Sequence, residues 1–126
     1  MADAEQSQQN HEYFAIGSMM NPISLSARGI KPIQSRPAIL LDYELRFFSV
    51  MGYAVAKPSK GKRNFHGVIH TVSDADMKTL HEIEHIYEPK QAIAELYNNV
   101  GTVNVTEYCS SEDNDDSKEH ITRTLY

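Results

Sequence analysis

Two stretches of this chain carry residue types that could do chemistry together. The first is Ser73 to Tyr87, SDADMKTLHEIEHIY, whose pattern predicts one helix. Ser73 is a good N-cap, and Asp74 and Asp76 suit the positive helix end. On a helical wheel Met77, Leu80, Ile83 and Tyr87 share the face that should be buried, and Glu84 falls inside the same arc. A carboxylate aimed at a core either has a partner there or a raised pKa. Taken alone, Glu84 is most simply an edge residue with its stem buried and its head in water.

The second stretch gives Glu84 company. Phe14-Ala15-Ile16-Gly17-Ser18-Met19-Met20-Asn21-Pro22 reads as a strand running into a Gly-Ser turn, with Arg28 behind it. Backbone N–H groups in such a turn can cradle a small anion such as a carboxylate. A turn that holds an anionic group and a helix that presents a base together describe a small-molecule site.

A third pattern competes for the same helix. His81-Glu82-Ile83-Glu84-His85 fits H-E-x-x-H, in which two histidines on one helix face bind zinc and the Glu is the general base. No Gly-x-x-His extension follows to supply a third ligand, and Glu84 puts a charge where such motifs are normally neutral. A solvated helix face carrying two unliganded histidines is the reading preferred.

These residues need elements to hold them. Residues 1–11 read as a disordered leader and 12–126 as one domain. Tyr13 to Ile16 reads as a buried strand; Pro22 and the following ISLSARG suggest a short helical turn closed by Gly29. Lys31 to Pro37 reads as a connector, Ala38 to Phe48 as one long strand, and Gly52 to Ala56 as a shorter one. Lys57 to Asn64 is a basic turn. Phe65 to Val72 is a strand feeding the Ser73 helix, with Gly67 marking a bulge or a close backbone approach. Pro89 should end that helix, and Lys90 to Asn98 suggests a short second one. Thr102 to Cys109 alternates as a half-buried strand, Ser110 to Glu119 is an acidic solvated loop, and His120 to Tyr126 looks like a last strand. The sum is α+β: about six strands in a small, closed or nearly closed sheet, with one main helix inserted after the fourth.

Composition sets the surroundings. The 126 residues carry a net charge of −5 and are 40% hydrophobic, which fits one folded domain and argues against a nucleic-acid surface. No apolar run is long enough to span a bilayer, and the N-terminus lacks a basic region followed by an apolar one. The single cysteine, Cys109, fits a reducing, cytoplasmic setting as a small strand residue.

In order along the chain, YFAIGSMMNP at 13–22, AILLDYELRF at 38–47, GYAVAKP at 52–58 and HGVIHTVSDADMKTLHEIE at 66–84 resemble the gamma-glutamyl cyclotransferase-like family. That family opens with a strand and a Tyr-Gly-Ser-Asn loop. It continues with an Ala-x-Leu-x-x-Tyr-x-Leu-x-Phe run and a Gly-rich short strand, then a Gly-Val strand leading into a helix that ends Leu-x-x-x-Glu. The resemblance implies a small mixed β-barrel with the site at its mouth. It implies that Glu84 is the catalytic acid/base, and that Ile16, Gly17, Ser18, Met19 and Met20 bind the alpha-carboxylate and amine end of a gamma-glutamyl substrate. The implied reaction is attack of the alpha-amine on its own gamma-carbonyl, releasing 5-oxoproline and an amine, and it needs no metal and no organic cofactor. His85 follows Glu84 where the family commonly has a Gly, and two loop positions depart from the pattern: Ile16 stands for the loop Tyr and Met19 for the loop Asn, with Asn21 the candidate to stand in. Backbone contacts survive those changes and side-chain hydrogen bonds do not. The alternatives are a non-catalytic small-molecule-binding member of the same fold and, behind it, the zinc peptidase.

Overall fold

The computed structural model describes residues 9–48, 53–59 and 63–109. Residues 1–8, the acidic stretch and the expected strand at 120–126 lie outside the described residues. The strands are β1 (Asn10–Ala15), β2 (Gln34–Leu41), β3 (Tyr43–Phe48), β4 (Tyr53–Pro58), β5 (Asn64–Ser73), β6 (Glu88–Leu96) and β7 (Thr102–Cys109). Two helices are inserted, α1 (Pro22–Ala27) and α2 (Asp74–Ile83). Asn10 and His11, expected in the leader, already belong to β1.

The strand order is β1-β5-β2-β6-β7-β4-β3, with an added pairing of β1 to β7. That pairing, parallel at Tyr13 and Thr106, closes five strands into a ring. β4 lies parallel to β7 through Ala56 and Cys109, and the β3–β4 hairpin extends the sheet beyond the ring. The fold is the small mixed barrel the sequence suggested.

Two apolar clusters line the two faces of the wall. Inside the ring lie Phe14, Leu40, Phe65, Ile69 and Val105, all buried. Outside it, Tyr13, Ala15, Met19, Leu25, Val72 and Tyr108 pack under α1 and α2, with Met77 and Leu80 as the helix's own contribution. Alternation along β1 explains the split: Tyr13 and Ala15 point to the helix side, Phe14 to the interior. Gly67 is where the wall is tightest. A Cβ there would sit 2.5 Å from the Phe14 ring and 2.7 Å from the Ala15 carbonyl oxygen, so the close approach expected at this glycine is real.

Four elements differ from the sequence-based expectation. The run 38–48 is two strands bent at Asp42, which takes φ +68° and whose N–H donates to the Arg63 carbonyl while its own carbonyl accepts from Ser59. An Asp tolerates that left-handed conformation better than a branched residue would. β2 starts earlier than expected and runs through Pro37, where β6 has not yet joined: β6 pairs only with Ala38 to Leu40, so the missing N–H falls at an edge. The stretch 90–98 is not a second α-helix: it is strand β6 up to Leu96, followed by a 3-10 turn at Tyr97–Asn99. Its Lys, Gln, Ala, Glu and Leu are good helix formers. Eight residue pairs with β7 outweigh that local preference, and they put the small Ala94 inside the barrel. Finally, α2 stops at Ile83 rather than Tyr87, with Glu84 as its C-cap. Because the run 38–48 is two strands, the main helix follows the fifth strand rather than the fourth.

Candidate active site

The site sits at the end of β1, where the interior and helix-side clusters meet. Ile16 is extended, and Gly17 takes φ +61°, a conformation that suits glycine. That angle lets the strand turn at once into a 3-10 turn, Gly17–Met20. Met19 donates its N–H to the Ile16 carbonyl, whereas Gly17 and Ser18, opening the turn, have no carbonyl behind them within it. Asn21 then closes the loop: its Oδ1 accepts from the Ile23 N–H and caps α1. That side chain is engaged there rather than standing in for the missing loop Asn.

Glu84 arrives from the other side. Ser73 Oγ accepts the Asp76 N–H and starts α2, whose buried Met77 and Leu80 press it onto the barrel. The helix ends with the Glu84 N–H on the Leu80 carbonyl, and the Tyr87 N–H returns to the Glu84 carbonyl. Glu84 is thus held at a helix end, and its carboxylate meets Tyr13, whose hydroxyl donates to Oε2 at 3.1 Å. Burial raises the Glu84 pKa, while the Tyr13 hydrogen bond and the Arg28 charge hold the rise back. The same burial and the Glu84 charge push the Tyr13 hydroxyl well above its ordinary range, so it stays a donor. Tyr108 crosses Tyr13 edge-on at 5.9 Å and shares a hydrogen bond of 2.6 Å with His81 Nδ1.

Between the loop and the helix end lies a cavity of about 430 Å³ whose wall includes Ile16, Gly17, Ser18, Met19, Arg28 and Glu84. Of the loop residues expected there, Met20 does not line it and is 38% exposed. Ile83, expected in the core, is instead 36% exposed and forms part of the cavity wall with the half-buried Tyr87. Tyr13 and Tyr108 were legible only as apolar strand residues. Alternation puts Tyr13 on the helix side, but nothing local in sequence pairs it with a residue 71 positions away.

The H-E-x-x-H reading fails on geometry. His85 lies beyond the end of α2, so His81 and His85 do not share a helix face. His81 Nδ1 is engaged by Tyr108, and His85 Nδ1 faces the Glu82 carbonyl at 3.1 Å.

Comparison with known proteins agrees with this architecture. A solution structure of a protein from Arabidopsis thaliana superposes with a TM-score of 0.77 at 21% identity, over 89% of this chain and 76% of that one. An AIG2-like protein from Mus musculus gives a TM-score of 0.74 at 11% identity, over 87% and 82% of the two chains. A protein described as a gamma-glutamyl cyclotransferase gives 0.68 at 18% identity, over 82% and 68%. At such identities these likenesses speak for the fold. No curated protein sequence matches the chain. The family description "Gamma-glutamyl cyclotransferase, AIG2-like" matches residues 13–126, and the chain therefore belongs to that family.

Proposed function

We propose that this protein is an enzyme that releases 5-oxoproline from a gamma-glutamyl amino acid, peptide or amine, with Glu84 as its acid/base. The observation that carries this reading is the pairing of a desolvated Glu84 carboxylate with the Gly17-Ser18 turn across one cavity. The substrate's alpha-carboxylate is held by the turn's N–H groups, with Arg28 adding its charge. Glu84 removes a proton from the alpha-ammonium group, and the freed amine attacks the gamma-carbonyl carbon. The C–N bond to the leaving amine then breaks as Glu84 returns the proton to that nitrogen, and the second proton shed by the ring nitrogen ends on the released amine, which leaves as its ammonium. The sequence of steps is redox-neutral and is served by one carboxylate whose pKa has moved toward the working pH. The raised pKa of Glu84 fits that task, and the Tyr13 hydroxyl fixes its carboxylate through Oε2. The setting proposed is the cytoplasm; no helix among the described residues is long and apolar enough to cross a membrane.

A second reading, a binding protein without efficient turnover, draws support from the loop. Ile16 and Met19 bring no polar side chain, and Asn21 is engaged in capping α1. Incubation with a gamma-glutamyl amino acid, followed by measurement of 5-oxoproline, separates the two. Release that depends on Glu84 supports the enzyme. Saturable binding with no release favours the binder.

A further inference from the structure

We propose that His70 is a positioning residue for the substrate loop, acting through the Met19 carbonyl. This rests on the reading of the Gly17–Met20 turn as the substrate cradle. His70 lies on β5 and is fully buried, on the helix side of the wall beside Tyr13, with ring centroids 6.1 Å apart. Its Nε2 is 2.9 Å from the Met19 carbonyl oxygen, and its Nδ1 is 2.7 Å from Ser35 Oγ. A carbonyl only accepts, so Nε2 carries the proton and donates; in the neutral ring Nδ1 is then the acceptor, and the Ser35 hydroxyl donates to it. Burial lowers the His70 pKa and favours this neutral form. The result is a relay of fixed polarity from Ser35 through His70 to the loop backbone.

Besides this bond, the loop is held at that point by the buried Met19 side chain and by the turn's own backbone bonds. Its 3-10 turn is one element of four residues, and the side chain that caps the next helix, Asn21, belongs beyond it. The bond from His70 ties the turn to the barrel wall 51 residues away in sequence. Without it the Met19 carbonyl would be stranded beside an apolar cluster, and the turn would be fixed less firmly with the N–H groups of Gly17 and Ser18 toward the cavity. His70 touches no substrate in this arrangement. Its effect should fall on binding and leave the proton transfer at Glu84 nearly untouched.

The test measures equilibrium binding of gamma-glutamylalanine in a Glu84→Gln background, where turnover does not interfere, together with KM and kcat of the same His70 variants carrying Glu84. His70→Phe keeps a ring and removes the donor; Kd and KM should rise about threefold to tenfold, the worth of one net hydrogen bond, with kcat changed little. His70→Gln places an amide N–H near the position of Nε2 and should restore binding to within about twofold. Ser35→Ala, at an exposed site, should weaken binding by about twofold without lowering the melting temperature. A folded His70→Phe that binds as the parent does, or a Gln variant no better than Phe, overturns the proposal. If His70→Phe does not fold, Gln and Ser35→Ala carry the test: parent-like binding in Ser35→Ala, or binding in Gln weakened tenfold, overturns it. Absent turnover with intact, His70-dependent binding sinks only the catalytic reading. Absence of binding in every variant sinks both.

Discussion

Glu84 and Glu107 are both carboxylates taken out of water, and they lie on opposite sides of β7. Glu84 meets the helix-side cluster, next to Tyr108. Glu107 is one residue before Tyr108 and so points the other way, into the barrel with Val105 and Cys109. Burial raises both pKa values. Glu84 has a donor, Tyr13, and opens on a cavity. Glu107 is 1% exposed, and neither oxygen has a partner in hydrogen-bond geometry among the described residues. Tyr43, Cys109 and Lys90, its register partner on β6, stand near enough to moderate its rise, which still reaches about 7. Burial, with the Glu107 charge adding to it, pushes the Cys109 thiol up to about 12. Burial alone therefore makes a carboxylate a strain on the fold. Burial with a donor and an opening makes one that can exchange protons with a ligand.

The largest expected effect separates the two by activity. Glu84→Gln keeps shape and removes the base, so 5-oxoproline release should fall by at least about a hundredfold. Its melting temperature should hold or rise slightly, because a buried amide is neutral and can still accept from Tyr13. An unchanged rate, or a steep loss of melting temperature, would erase the distinction between the two residues.

Glu107→Gln should do the reverse, leaving release unchanged and altering stability with pH. Since the Glu107 pKa is raised from 4.5 to about 7 on folding, the folded state binds the extra proton between those values. Stability is then fully present below the unfolded pKa and is lost as pH rises through the folded one. The Gln variant should match the parent near pH 4 and exceed it near pH 8, by as much as about 3 kcal/mol, as one pKa unit is worth about 1.4 kcal/mol. Denaturant titrations at the two pH values check this; parallel curves would show that Glu107 is not the strained group.

Tyr13→Phe sharpens the comparison by making Glu84 more like Glu107. The tyrosine hydrogen bond lowers the Glu84 pKa, so its loss should move the acid limb of the pH–rate profile to higher pH. At a pH on that limb the rate should drop by up to about tenfold, and at high pH most of it should return. A profile that keeps its position would deny Tyr13 the role of donor.

The smallest change is expected from Tyr43→Phe. Tyr43 moderates the Glu107 shift without a hydrogen bond in good geometry, so its loss should steepen the pH dependence of stability only slightly, by about 0.5 kcal/mol or less. Release of 5-oxoproline should not change. A large loss of stability would mean that the Tyr43 hydroxyl does bond the carboxylate.

How much of this was legible depends on the range of the signal. Glu84 stood out because its place on an apolar arc can be counted from neighbours three and four residues away. The Gly17-Ser18 turn was visible for the same reason. Glu107 was equally countable, alternating with Val103, Val105 and Cys109, but alternation does not say that both faces of β7 are covered. That follows only from ring closure on one side and α2 on the other.

What the sequence by itself determined are the elements that local chemistry fixes. The Ser73 cap, the Pro22 start and Asn21 cap of α1 and the positive φ at Gly17 all rest on a residue and its near neighbours. Tertiary structure decided the rest. β6 is a strand because β7 and β2 offer it partners, against its helix-forming composition. The bend at Asp42 serves the pairing of β2 with β5 and of β3 with β4. The α2 helix stops at Ile83 because the chain must turn to begin β6 at Glu88, and that stop sets Glu84 at the cavity. Tyr13 meets Glu84 only because β1 and the end of α2 converge across 71 residues of chain. Each is a contact between segments far apart in sequence, and no local propensity encodes such a meeting.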